Sequence, residues 1–120
     1  MTVLLVDAAN VVGSRPDGWW RDRPGAARRL YDALAAADLD HDEVVLVLEG
    51  AARRGVEPGR SDRLRVLHAP GSGDDAIVAA VAEHSGTTDV VVVTADRGLR
   101  ARVEQAGASC QGPGWLLDRL

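Results

Sequence analysis

MTVLLVDAANVVGSR, residues 1–15, is the stretch from which the rest of the chain can be read. Thr2–Val6 is an apolar run without polar alternation, the pattern of a strand buried on both faces of a parallel sheet. It stops at an acid, Asp7; Asn10 follows three residues on, and then the turn signal Gly13-Ser14. Ligands of open parallel α/β sheets bind beyond the carboxyl ends of the strands. Asp7 and Asn10 therefore stand where such a protein does its chemistry, and every other apolar run should deliver a polar group to the same edge.

Working outward, Val44–Leu48 is a second strand and ends at Glu49-Gly50. Leu64–Leu67 is a third, running toward the turn Pro70-Gly71-Ser72-Gly73; Val90–Val93 is a fourth and enters Thr94-Ala95-Asp96; Ala108–Gln111 is a short fifth. Helices are expected between them. Pro24 opens one, with Ala27, Leu30, Tyr31 and Leu34 as its apolar stripe. Asp74–His84 is a second, with Ile77, Val78 and Val81 inward and Ser72 placed three residues before Asp75 as in a capping box. Arg97–Ala106 is a third, and Pro113–Leu120 a closing helical turn. Gly13–Arg23 and Ala51–Asp62 are expected as loops, and Asp38–Glu43 as a solvated acidic connection. Strands alternating with helices predict an α/β fold, a parallel sheet with helices on both faces. A length of 120 residues predicts one domain, 1–120, able to bury about two-thirds of its unfolded surface.

A lone cysteine, Cys110, has no internal disulfide partner, which fits a reducing cytoplasm and a small buried hydrophobe rather than a nucleophile. No apolar run approaches the roughly 18 residues of a bilayer span, and the N-terminus enters a strand without a basic leader, so neither membrane nor secretion is expected. The net charge of -4 does not advertise a nucleic-acid binder. Yet all 14 basic residues are arginine, clustered at Arg15/Arg21/Arg23, Arg28/Arg29, Arg53/Arg54 and Arg97/Arg100/Arg102, so a local basic patch can coexist with an acidic total.

Asp7, Glu49 and Asp96 end three strands, and Asp74-Asp75 open the helix after another. In a parallel sheet these points share one edge, where carboxylates repel unless a cation neutralises them. Hard divalent ions with oxygen ligands, Mg²⁺ or Mn²⁺, are the natural partners, and such a cluster suits phosphodiester hydrolysis. Taken singly, each acid has a plainer use: Asp74 and Asp75 favour a helix N-terminus, Asp96 can cap the helix at Arg97, and Glu49 can be a solvated loop acid. Their joint placement at strand ends points to a site.

The ordered set Val6-Asp7-Ala8-Ala9-Asn10, Asp74-Asp75-Ala76-Ile77-Val78 and Thr94-Ala95-Asp96-Arg97 resembles the NYN family of PIN-like nucleases, and is similar to bacterial YacP-like and PIN-domain ribonucleases. The match spans essentially the whole chain; position 8 is alanine where the family usually has glycine. The resemblance implies a PIN-like three-layer fold with strand order 3-2-1-4-5 and a magnesium- or manganese-dependent ribonuclease, a hydrolase of RNA phosphodiester bonds. It implies Asp7, Asn10, Asp74, Asp75 and Asp96 as catalytic residues, with Asp7, Asp74, Asp75 and Asp96 as metal-binding acids. Asn10 corresponds to an asparagine that either supports the metal ligands or orients substrate, and Glu49 falls where some relatives carry a further metal-binding acid. Asp74 and Asp75 lie about 100° apart around a helix, and the sequence leaves open which one meets the metal directly.

The loop after the first strand carries Ser14, Arg15, Trp19, Trp20, Arg21 and Arg23; arginines hold phosphates and aromatic rings stack on unpaired bases. Single-stranded RNA is thus the expected partner, bound by Ser14, Arg15, Arg21, Arg23, Thr94 and Arg97. The other use of these tryptophans is packing over a core that has no phenylalanine. His68 follows the third strand, within reach of the site, although a hydrogen-bonded or solvated role is the commoner one. A receiver-like domain also sets aspartates at strand ends, but it needs a lysine, which this chain lacks. Two readings stay beside the nuclease: a non-catalytic PIN-like module that binds RNA or protein, and the toxin of a toxin–antitoxin pair. A homodimer or a protein partner also stays open.

Overall fold

Six strands among the described residues form one sheet, and β1 (Thr2–Asp7) lies in its interior with both faces buried. The computed structural model of the chain describes residues 1–84 and 89–120. β1 pairs in parallel with β2 (Glu43–Leu48), from Val3 opposite Glu43 to Asp7 opposite Val47. On its other side it pairs in parallel with β5 (Asp89–Val93), from Thr2 opposite Asp89 to Val6 opposite Val93. β4 (Leu64–His68) continues the sheet beyond β2, and β6 (Ser109–Gln111) beyond β5, both parallel. These five strands stand in the expected spatial order. β3 (Gly59–Ser61) adds an antiparallel edge outside β4, within the Ala51–Asp62 segment expected as a loop. Three exposed residues of small or polar type carry no hydrophobic signal. Asp62, with φ 55°, makes the turn back into β4, a conformation that aspartate tolerates.

Alternate residues of the interior strands feed two cores, so no polar alternation appears in their sequence. Leu4 and Val6 pack with Leu46, with Leu30 and Leu34 of α2 (Arg23–Ala36), and with Leu116 of α5 (Pro113–Leu117). Val3 and Leu5 pack with Val45, with Ile77 and Val81 of α3 (Gly73–Glu83), and with Leu99 and Val103 of α4 (Arg97–Gln105). The result is three layers, helix on sheet on helix. Among the described residues, no helix is long and apolar enough to cross a membrane.

Three local features bear on the site. α1 (Ala8–Gly13) follows β1 directly, where the sequence reading saw only a turn; six residues are too few for helical periodicity to show. Ala8 is helical and needs no glycine: among the described residues, Asp62 is the only non-glycine with positive φ. Asp22 caps α2 by accepting from Gly25 N at 2.9 Å, with Pro24 in the first turn. Residues Gly50–Gly55 form a 3₁₀ helix rather than an open loop, and Gly55 lies so close to the Pro24 carbonyl that a Cβ has no room.

Candidate functional site

Asp7 is both the last residue of β1 and the N-cap of α1. Its carboxylate accepts from Thr94 Oγ1 at 2.9 Å and, at 3.4 Å, from Asn10 N. Thr94 is fully buried just after β5, and its hydroxyl also accepts from Asp96 N at 3.1 Å. Asn10 Oδ1 accepts from Ala95 N at 2.7 Å. Two side chains thus lock the exit of β1 to the exit of β5. Asp96 is held where these bonds put its backbone, and its Oδ1 caps α4 by accepting from Leu99 N at 2.8 Å.

Glu49 and Asp74 come from the other side. Glu49 Oε2 accepts from Gly73 N, the first residue of α3, at 2.8 Å. Gly73 allows this close approach: a Cβ there would lie 3.1 Å from the Glu49 carboxyl carbon, and the carboxylate would have to shift by a few tenths of an ångström. Asp74 follows on the first turn of α3. The 100° step per helical residue separates the paired aspartates. Asp74 is half-buried and feels the charges of Asp96 and Glu49, whereas Asp75 is exposed and pairs with Arg102 of α4 at 3.0 Å.

Electrostatics ties the four acids together. Burial pushes the Asp7 carboxyl above the usual carboxylate range, and the charges of Asp74 and Glu49 push it further. Its bonds from Thr94 and Asn10 oppose the rise without cancelling it. Asp74 is raised in the same way, by burial first and then by Asp96 and Glu49. Among the described residues, no three His, Cys, Asp or Glu side chains come together as a group that could hold a metal ion. The donor set is nonetheless all oxygen, anionic and mutually repelling, which is the chemistry that fits a hard divalent cation. Carboxyls raised by burial and by one another's charge at one strand edge mark a candidate site.

The residues expected to meet substrate are more scattered. Thr94 is a correction: with no exposed surface it cannot touch substrate, and it serves instead to hold Asp7. Ser14 caps α1, its hydroxyl donating to Val11 O at 2.6 Å. Arg15 lines a cavity of about 420 Å³ between α1, α2 and α5, together with Arg29. Arg21 sits 5.9 Å from the Trp20 ring centre, and Arg23 lies 5.3 Å from that of Trp19. Arg97 is exposed directly after Asp96. His68 is engaged with Val56 O at 2.7 Å. The sequence reading missed Gly73 as the seat of Glu49, the buried partnership of Thr94 with Asp7, and Arg102 as the partner of Asp75. Thr94 two residues before an acid and Gly73 directly before the aspartate pair were the visible signals.

The fold is similar to that of Rae1 (YacP) from Bacillus subtilis, seen in a crystal structure of a tryptophan-to-leucine mutant, with a TM-score of 0.78 and 21% identity. The similarity covers 98% of this chain and 74% of that one. No protein-family model matches the sequence, and no curated protein matches it. The likeness to Rae1 establishes a shared YacP-like fold.

Proposed function

We propose that this protein is a divalent-metal-dependent ribonuclease acting through Asp7, Glu49, Asp74 and Asp96 at the carboxyl edge of the sheet. The observation that carries the reading is the raised carboxyls of buried Asp7 and half-buried Asp74, each pushed up by burial and then by neighbouring acids, on a YacP-like fold. Mg²⁺ or Mn²⁺, when bound, supplies an activated water and charge neutralisation at the leaving oxygen. The chain's own part is to hold anionic oxygens ready. Thr94 and the Asn10 amide fix one face of Asp7, so that its carboxylate loses little freedom on binding a cation. Asn10 spends Oδ1 on Ala95, and among the described residues its Nδ2 makes no bond; that group is the donor left to orient a phosphate oxygen. Asp75, engaged by Arg102, acts at one remove by fixing α3 against α4.

An acidic edge repels RNA, so flanking arginines must bring the backbone in. Arg97 follows Asp96 directly in sequence, and Arg23 lines one cavity with Glu49; Arg15 and Arg21 add exposed basic groups along the Gly13–Arg23 segment. Single-stranded RNA is the substrate this arrangement suits. The test is cleavage of a panel of labelled RNAs with Mg²⁺, Mn²⁺ or EDTA, comparing the protein with Asp7→Asn. Metal-dependent cleavage that the variant loses supports the reading. RNA binding without cleavage under any metal assigns the fold here to a binding module instead.

A further inference from the structure

Beside Glu49 lies a cavity of about 370 Å³, within the roughly 300–1,000 Å³ range of small-ligand pockets. Its walls are small and apolar, with Ala9, Ala27 and Ala52 where larger side chains would close the space. Trp19 and Arg23 complete it, the guanidinium 5.3 Å from the ring centre. We propose that this cavity binds one unpaired nucleobase of the RNA strand, next to the phosphate presented to the carboxylates. The assignment of that strand as substrate rests on the nuclease reading above.

Three observations point to a base. An indole ring and a guanidinium plane are the two surfaces on which unstacked RNA bases rest, and here Trp19 and Arg23, stacked together, both line one apolar slot. Glu49 belongs to the slot and to the acidic cluster alike, and Ala8, which follows Asp7, is a further wall. A group seated in the slot is therefore tied by one short linkage to whatever lies at the carboxylates, as a base is tied to its phosphate. A polyanion lying beside four acids also needs a cation close by, and Arg23 in the lining of the slot provides it. A base stacked and paired inside a duplex cannot enter, so the slot selects single strands. Trp20, 51% exposed and edge-on to Trp19 at 5.8 Å, is not among the residues that line it.

The experiment walks a single abasic nucleotide through a labelled RNA hexamer and measures affinity by fluorescence anisotropy, with Mg²⁺, in the Asp7→Asn background. The expected result is a loss of about tenfold at one position and little elsewhere, the size of one base–aromatic stack. Ala9→Leu, at an exposed helical position, fills the slot without removing any packing. It should lower affinity for the intact hexamer by the same factor and make the walk flat. Trp19→Leu should do likewise, and Trp20→Leu should leave the walk unchanged; thermal melting checks that each variant is folded. A flat walk, or an Ala9→Leu variant that binds as its parent does, overturns the pocket. If the wild type cleaves RNA with metal while the walk is flat, only the pocket falls. If the dip is present and the wild type cleaves nothing, the pocket stands and the nuclease reading falls.

Discussion

The amino and carboxyl edges of this sheet treat the same side chain in opposite ways. At the amino edge, Asp42 accepts from Thr2 N at 2.7 Å and from the Thr2 hydroxyl at 3.3 Å, and these bonds hold its carboxyl below the usual range. Glu43, next to it, pairs with Arg60 at 3.4 Å. At the carboxyl edge, Asp7 and Asp74 are surrounded by further acids and are pushed the other way. The first arrangement favours the ionised form and ties strand ends together. The second disfavours it, and a fold keeps such an arrangement only where something outside the chain compensates. One edge ties strand ends together, and the other is where the proposed cation and phosphate would bind.

The largest expected effect breaks the comparison outright. Asp7→Asn should lower metal-dependent RNA cleavage by more than about 100-fold, above the range seen for groups that only support metal ligands. Asp42→Asn should stay within about twofold. Equal losses in initial rate would erase the distinction between the edges. Next in size is Thr94→Val, which leaves Asp7 without its hydroxyl donor. Cleavage should fall by about 10- to 100-fold, as for removal of a supporting partner, and denaturant melting should show a loss of about 1–3 kcal/mol.

Stability sharpens the same contrast with opposite signs. The folded-state pKa of Asp74 lies above its unfolded value, so its contribution is fully present below about pH 3.8 and is lost as pH rises through the raised value. In EDTA at neutral pH, Asp74→Asn should therefore melt above the wild type, and the gap should close in acid. Asp42 is depressed, so its contribution is present above about pH 3.8 and is lost as pH falls through the lowered value. Asp42→Asn should melt below the wild type at neutral pH. Millimolar Mn²⁺ should raise the wild-type midpoint, by the equivalent of about 2.7 kcal/mol at a hundred times Kd. It should leave the Asp7→Asn/Asp96→Asn double variant unmoved. The smallest effect belongs to Asp75, whose exposed pair with Arg102 is of a kind worth about 0–1 kcal/mol. Asp75→Asn should change cleavage by less than about twofold. A loss as deep as that of Asp74→Asn would show that both aspartates serve the site.

Much of this layout was legible in the chain. Apolar runs without alternation mark strands buried on both faces, because helices must cover both sides of a parallel sheet. The acids that end those runs then fall on one edge by topology alone. What was not legible is local or long-range. α1 and β3 are too short, and β3 too polar, for periodicity to register. The bond from Thr94 to Asp7 joins residues 87 positions apart, and no spacing rule reports such a contact.

The sequence by itself determined the α/β class and set the strand-ending acids on one edge, since burial pattern and element order are properties of the chain; the strand order beside β1 came from the family resemblance. Only the tertiary structure decided which acids share a field. It separated Asp74 from Asp75 by the phase of α3 and the reach of Arg102, and it buried Thr94 as a support. It also opened a slot at Trp19 between α1, α2 and the 3₁₀ turn after β2. Helix phase, burial and inter-element gaps arise when the layers dock, and no single segment encodes them.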